Sequence, residues 1–361
     1  MPERLRVDII PYQKLLQVEF PQARYIRKKV IQPQRIIGQS LAPDIIVSGL
    51  DRVVRLILLA SSQVLMQETD STAVTPSYGD LATNSDICLV FLNTVLGEGV
   101  NRTELYNNDQ NNMVNTVADN CSNIIVMINT VAPCLMSQWI GHENVIGLLY
   151  GPLLAIVEVL YGDVNPSGRL IYTTAKNESE YNIGICYTAQ CNYMEGVNVD
   201  YRYFDSYNVT PCYPFSRGLS YTSFSYSDSE IEGAQDSIKV PHKPTHGGRQ
   251  DCKDVVGNVH GTVSNISAMD GAEVPQLYLG YPSGVQQPVR QLRGLKRVEI
   301  DNAKHLKVTF QLRRRDISYW DITAQEWGVM PGKYRVYLVS RCQLARSEVE
   351  LHCSFAVHLS S

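Results

Sequence analysis

The sequence predicts two folded parts in series, a parallel α/β sheet domain followed by an all-β sandwich. Three observations carry this. Between Asp86 and Tyr161, short runs of consecutive apolar residues alternate with segments of helical spacing, as in a parallel sheet buried on both faces. Beyond Phe224 apolar residues recur at every second position between Gly, Pro and Asn turns, as in half-exposed antiparallel strands. With 361 residues, 44% hydrophobic and 19% charged, the chain can bury more than one core and is not disordered or fibrous.

In chain order, residues 1–80 are the least legible and are assigned only to the edge of the α/β domain. Within them IIPYQKLLQVEF reads as a helix, and IIVSGLDRVVRLILLASSQVLM holds enough apolar residues for a strand or a helix. The α/β domain proper is expected over 81–227. DICLVFLN is a buried strand, Asn111 to Asp119 a helix, NIIVMINTV a second strand, and VIGLLY follows. A helix around Leu153 to Tyr161 stops at Gly162, and NPSGR makes a turn before a strand, LIYTTA. Lys176 to Val199 is polar, tyrosine-rich and without period, which predicts a long surface loop.

Residues 228–249, rich in Ser, Asp, Lys, His and Gly, read as a linker, and 250–361 as the sandwich. In LKVTFQLRRRD the period places Val308, Phe310 and Leu312 on one face and Lys307, Thr309, Gln311 and Arg313 on the other. GTVSN, AEVPQLYLGY, VEI and PGKYRVYLVS read as further strands.

Composition excludes several functions. A net charge of -4 and a pI near 6.0 give no basic footprint for nucleic acid. The longest apolar runs fall well short of the roughly 20 residues a membrane helix requires, and MPERLRVDIIPYQ has no apolar signal core. Neither a membrane anchor nor an export signal is expected. Nine cysteines show no Cys-x-x-Cys or Cys/His metal spacing, so no metal is expected, while Cys186 and Cys191 lie close enough for a local disulfide. Asn101, Asn120, Asn177, Asn208 and Asn265 each begin an Asn-x-Ser/Thr sequon and are candidate glycosylation sites.

Several segments together carry a resemblance. CLVFLNTVLGEGVNRTELYNNDQNN resembles a stretch of family 3 glycoside hydrolases of the fungal β-glucosidase type, where a strand is followed by GEGY, VEGN and GDRNNL. The register holds without gaps from Gly97 to Met113. VLYGDVNPSGRL, VDYRYFD, NVTPCYPFSRGLSYTSFSYS, AEVPQLYLGYP, LRGLKRVEI and RRDISYWDITAQEW continue the match in the same order. That family begins with a (β/α)8 barrel, follows it with an α/β sandwich and ends with a fibronectin III-like module. The resemblance therefore implies the second and third domains here. A barrel takes about 250 residues, and the first eighty cannot hold one.

Retaining glycosidases work with two carboxylates about 5 to 5.5 Å apart, one the nucleophile and the other the acid/base. The resemblance places the acid/base at Glu104 and the nucleophile on the barrel, and no segment here resembles the nucleophile motif. Without a barrel over it, Glu104 reads as a solvated carboxylate. The family pattern departs at Leu105, Tyr106 and Gln110, where glycine, asparagine and arginine are usual, and at Leu149 to Ala155, where YGPLLA replaces a longer glycine-rich turn.

Tyr201, Arg202, Tyr203 and Asp205 read as a packed structural motif, Trp320 and Trp327 as sandwich core, and the histidines as surface residues. The implied activity is β-glucoside hydrolysis, by a chain inactive without its barrel. The alternative is a non-catalytic module binding carbohydrate or protein. No cofactor is implied; the implied partners are a β-glucoside or polysaccharide and a separate barrel domain, and the implied setting is extracellular.

Overall fold

The computed structural model describes residues 56–61, residues 79–340 apart from 80–81, 84, 95–101, 103–104, 131, 152–155, 234–236 and 240–249, and residues 352–360. The chain divides into two compact units, Met1–Val164 and Asn165–Ser361.

The first unit is built on four strands, β1 (Leu56–Ser61), β2 (Ile87–Asn93), β3 (Ile124–Asn129) and β4 (Val145–Tyr150), in the order β1-β2-β3-β4 with every pair parallel. The ambiguous segment before residue 80 thus contributes a strand. Five of the six residues of β3 are buried, as a strand covered on both faces requires.

Helix α1 (Asn108–Asn120) makes the crossover from β2 to β3 and buries Asn111, Met113, Val114, Val117 and Ala118, a stripe of helical spacing. Asn107 caps it, its Oδ1 accepting from Gln110 N at 3.0 Å. Trp139, almost fully buried, donates its indole N–H to Asn111 Oδ1 at 3.1 Å, which satisfies an amide oxygen inside the apolar stripe. Helix α2 (Ile156–Tyr161) ends at Gly162, whose φ of 74° suits glycine.

The second unit begins with a strap, residues 165–223, of little regular structure. It holds helix α3 (Tyr201–Ser206) and a single bridge between Thr174 and Tyr213. LIYTTA is therefore not a strand: its Leu170 and Thr174 amides bond to Arg217 and Tyr213 carbonyls, so its backbone is satisfied one contact at a time. The loop expected over 176–199 is largely exposed, and Cys186 and Cys191 are joined in a disulfide with Cα atoms 6.2 Å apart.

The strands that follow are β5 (Phe224–Glu232), β6 (Ser237–Lys239), β7 (Val255–Asn265), β8 (Gly271–Glu273), β9 (Gln276–Gly280), β10 (Gln291–Leu295), β11 (Val298–Ile300), β12 (His305–Arg313), β13 (Ser318–Asp321), β14 (Glu326–Val329), β15 (Gly332–Val339) and β16 (His352–Ser360). One sheet runs β12-β7-β5 and the other β10-β9-β15-β16-β6, with β11-β8 and β13-β14 as short pairs.

Val259 and Val263 of β7, Leu277 and Leu279 of β9, Phe310 and Leu312 of β12, and Tyr334, Val336 and Leu338 of β15 form one core. Val308, Phe310 and Leu312 are buried, whereas Lys307, Gln311 and Arg313 are exposed, as the period predicted. Gly261 is needed where the sheets meet, since a Cβ there would lie 2.2 Å from Leu338 Cδ2. Residues 228–232, read from composition as linker, complete β5 and pair with β7 through Glu230–His260, Ile231–Val259 and Glu232–Asn258. Alternation along β5 is hidden because its outward positions are Ser, Asp and Glu, the residues that otherwise mark loops.

Among the described residues no helix is long and apolar enough to cross a membrane, and no group of three or more His, Cys, Asp or Glu side chains is gathered to hold a metal.

Candidate functional site

The segment joining β2 to α1 leaves the sheet at the carboxyl end of a parallel strand, the edge at which α/β sheets present loops to ligands. Glu104 and the sequon at Asn101 lie on it, outside the described residues, as do residues 152–155 of the shortened turn. The neighbours of Glu104 are placed.

Arg102 donates from Nη1 to Pro133 O at 2.7 Å and from Nη2 to Leu105 O at 2.9 Å. Leu105 O also accepts from Leu135 N at 2.9 Å. Two anchors therefore bracket residue 104 and tie the loop after β2 to the segment 133–135, which follows β3. Beside them the Cys134 thiol is pushed above its usual range by burial, with the Arg102 charge opposing.

Gln110, standing where arginine is usual, donates Nε2 to Asn93 O at 2.8 Å and so holds the start of α1 against the end of β2. Asn129 Nδ2 donates to Asn93 Oδ1 at 3.1 Å, joining the ends of β2 and β3. Neither role was read from the sequence; Asn107 before Asp109 in a polar run was the available sign of a helix start.

The motif at 201–205 is packed, as expected. The Tyr201 ring stacks on Phe215 at 4.7 Å and meets Tyr278 edge-on at 6.1 Å, and its hydroxyl accepts from Leu292 N at 3.0 Å. Asp205 receives Arg290 through Nε at 3.0 Å and Nη2 at 2.6 Å, with both side chains buried. Asp200 accepts from Thr173 N at 2.8 Å and Thr173 Oγ1 at 3.1 Å. Burial raises the Tyr181 phenol to about 12, and its oxygen accepts from Ala175 N while the hydroxyl donates to Thr173 O. These groups fasten the strap to itself and to the sandwich.

Trp320 and Trp327 are not core. They face each other across β13 and β14, ring centroids 5.6 Å apart and edge to face, and are 43% and 45% exposed. The two indoles thus form an exposed aromatic cross-strand pair on the short hairpin.

The histidines divide. His142 bonds Asp119 Oδ1 at 3.3 Å near the surface, whereas His260 is buried, 2.9 Å from Thr309 Oγ1 and 3.0 Å from Glu232 Oε2. The surface expectation fails for His260 because β5 covers it.

Of the placed sequons, Asn120, Asn177 and Asn208 are exposed. Asn265 is 2% exposed, and its Nδ2 donates to Met269 O and Ile300 O at 2.9 and 3.0 Å. The nitrogen a glycan would occupy is thus spent within the fold, and the folded chain offers no glycosylation site there.

Comparison with known proteins agrees with this architecture. A family model described as the glycosyl hydrolase family 3 C-terminal domain matches residues 25–221, and one described as a fibronectin type III-like domain matches residues 273–341. A relative from Aspergillus niger, named probable beta-glucosidase D, is 60% identical over 309 residues, which cover 84% of this chain and 40% of the relative. Probable beta-glucosidase M of Emericella nidulans is 38% identical over 82% of this chain and 40% of its own length. The crystal structure of beta-D-glucoside glucohydrolase from Trichoderma reesei aligns with a TM-score of 0.72 at 32% identity, over 78% of this chain and 41% of that one. The chain thus spans about 40% of the length of these relatives.

Proposed function

As the chain belongs to glycoside hydrolase family 3, we propose that it supplies the acid/base half of a retaining β-glucosidase site, with Glu104 as the acid/base. The nucleophilic carboxylate comes from a (β/α)8 barrel outside these residues, either joined to them or docked as a separate domain. The observation that carries this reading is the 60% identity to a probable beta-glucosidase over 84% of the chain.

The chemistry requires both halves. The barrel carboxylate attacks the anomeric carbon while the Glu104 carboxyl gives its proton to the departing glycosidic oxygen. Glu104, now ionised, takes a proton from water, whose oxygen displaces the nucleophile and frees the sugar. The hydrogen bonds that hold Arg102 and Leu105, the residues flanking 103–104 in the chain, to the segment 133–135 support this assignment, since a group that must meet two substrate oxygens in turn gains from anchored neighbours. The substrate class is β-glucosides, no cofactor enters these steps, and the setting is extracellular; the Cys186–Cys191 disulfide supports an oxidising compartment.

Hydrolysis of an aryl β-glucoside tests the reading, using the chain alone and the chain supplied with the barrel portion of the Aspergillus niger relative. Turnover is expected only with the barrel, and Glu104→Gln is expected to lower it by about 10²–10⁴-fold. Turnover by the chain alone, unaffected by Glu104→Gln, would sink the assignment.

A second reading, a non-catalytic module, is favoured by one feature. Trp320, Trp327 and Ile322 form an exposed apolar patch on a single hairpin. Passage without retardation through cellulose, β-glucan and xylan columns would remove the polysaccharide version.

A further inference from the structure

The strap carries one loop that is held in shape yet left bare. Its ends are pinned together, Asn182 Nδ2 donating to Asn198 O at 2.8 Å. Tyr181, just before it, meets Phe204 edge-on, and Asn198 Oδ1 accepts from Ser206 Oγ at 3.3 Å, so both ends are tied to α3. The Cys186–Cys191 disulfide closes the middle. Gly196, with a φ of 55°, makes the return turn, its N–H donating to Tyr193 O at 3.2 Å.

What this scaffold displays is apolar. Ile183, Ile185, Tyr187, Tyr193, Met194 and Val197 are exposed, a denser gathering of large apolar side chains on the surface than anywhere else among the described residues. Tyr187, Tyr193 and Met194 are 87%, 80% and 88% exposed, so nothing in the fold covers them. From Asn182 to Asn198 the sequence holds one charged residue, Glu195. Aromatic residues and methionine without charge are the composition of an interface centre, and such a patch on a folded protein marks a contact.

We propose that loop 182–198 is a surface on which this chain receives the (β/α)8 barrel, an inference that rests on the reading that the nucleophile comes from a barrel outside these residues. Three arguments select that occupant. The chain spans 40% of the Aspergillus niger relative, so more than half of such a protein remains to pack against a face left bare here. A stable pair of copies buries about 20–30 residues a side, more than this loop offers, whereas domains of one chain hold by smaller contacts because linkage makes the docking intramolecular. A polysaccharide would set its hydroxyls against Ile183, Ile185 and Val197, side chains with no group to bond them. The pinned ends and the disulfide lower the ordering that docking costs.

Hydroxyl-radical footprinting tests this, since exposed methionine and tyrosine oxidise readily. The chain is compared alone, at low and high concentration and with soluble β-glucan, and fused behind the barrel portion of the Aspergillus niger relative. Oxidation of Tyr187, Tyr193 and Met194 is expected to fall to background in the fusion alone, with Trp320 and Trp327 as reactive as before. Unchanged oxidation of the loop in a fusion that hydrolyses an aryl β-glucoside would overturn the docking surface and leave the catalytic reading standing. Shielding in a fusion without turnover would support the surface and count against the catalytic reading. Shielding that appears in the chain alone, as its concentration rises or β-glucan is added, would make the occupant a second copy or a sugar and overturn the proposal. For a fusion that does not fold, the intact Aspergillus niger relative is footprinted instead; its segment aligned with 183–197 is expected to be shielded, and free reaction there would equally overturn the proposal.

Discussion

At the scale of single residues, burial decides which charges matter. Asp205 and Arg290 are buried with two hydrogen bonds between them, so removing the carboxylate leaves a guanidinium in a dry site. Asp205→Ala is expected to destabilise the fold by about 3–5 kcal/mol. Lys307 and Glu230, both more than half exposed, meet at 3.2 Å, and Lys307→Ala is expected to cost under about 1 kcal/mol because water and salt screen the pair. Urea denaturation of both variants measures the contrast, and equal shifts in midpoint would contradict it. Arg169 belongs with the first kind: its Nη2 lies 2.8 and 2.9 Å from the two Glu273 oxygens, and Tyr226 donates to the same carboxylate. Neither pairing was legible beforehand, since Arg169 and Glu273, or Asp205 and Arg290, stand far apart in the chain and carry no local spacing signal.

At the scale of elements, α1 shows how a cap sets a boundary. Asn107 has extended backbone angles and accepts from Gln110 N, satisfying one of the amides a helix leaves open at its start. Asn107→Ala is expected to cost about 1 kcal/mol and Asn107→Gly only a few tenths, read as a shift in Tm. Equal effects would show that the backbone rather than the side chain holds the turn. Strands β2, β3, β12 and β15 were legible because each has an unbroken apolar run or a clean alternation. LIYTTA looked like a strand because its residues favour extended backbone, yet it meets residues 212–217 through one bridge, Thr174–Tyr213, and scattered backbone bonds and not through a ladder. The second half of β5 was hidden for the opposite reason, since its outward residues are those of loops. The Trp320–Trp327 pair was misread because large aromatic side chains usually fill a sandwich core, and residue type does not report which face of a strand is covered. Of the candidate site, Glu104 was legible only through collinear motifs; the Arg102 anchors depend on backbone carbonyls, which leave no mark on composition.

At the scale of the whole molecule, the strap and sandwich form one unit held by groups that must stay neutral or paired. Asn165 shows the design: its Nδ2 donates to Thr222 Oγ1 and Asp270 O, and its Oδ1 accepts from Ser220 Oγ and Tyr221 N. One amide thus ties the start of the strap to its end and to the loop before β8. Burial raises the phenols of Tyr181 and Tyr221 to about 12 and pushes those of Tyr281 and Tyr334 upward as well, all within Asn165–Ser361. A phenol whose folded pKa exceeds its unfolded value of about 10 favours the fold fully below that pH. The contribution is lost as pH rises through the folded value, because the unfolded chain gives up the proton more readily. Stability of this unit is therefore expected to be insensitive to these groups up to about pH 10 and to fall between about pH 10 and 12, with buried tyrosines ionising as the sandwich opens. Tyrosinate absorbance and far-ultraviolet circular dichroism, followed together in an alkaline titration, should then change in one cooperative step. A smooth titration of every tyrosine near pH 10 with the β signal intact would show that these phenols are not what the strap and sandwich bury.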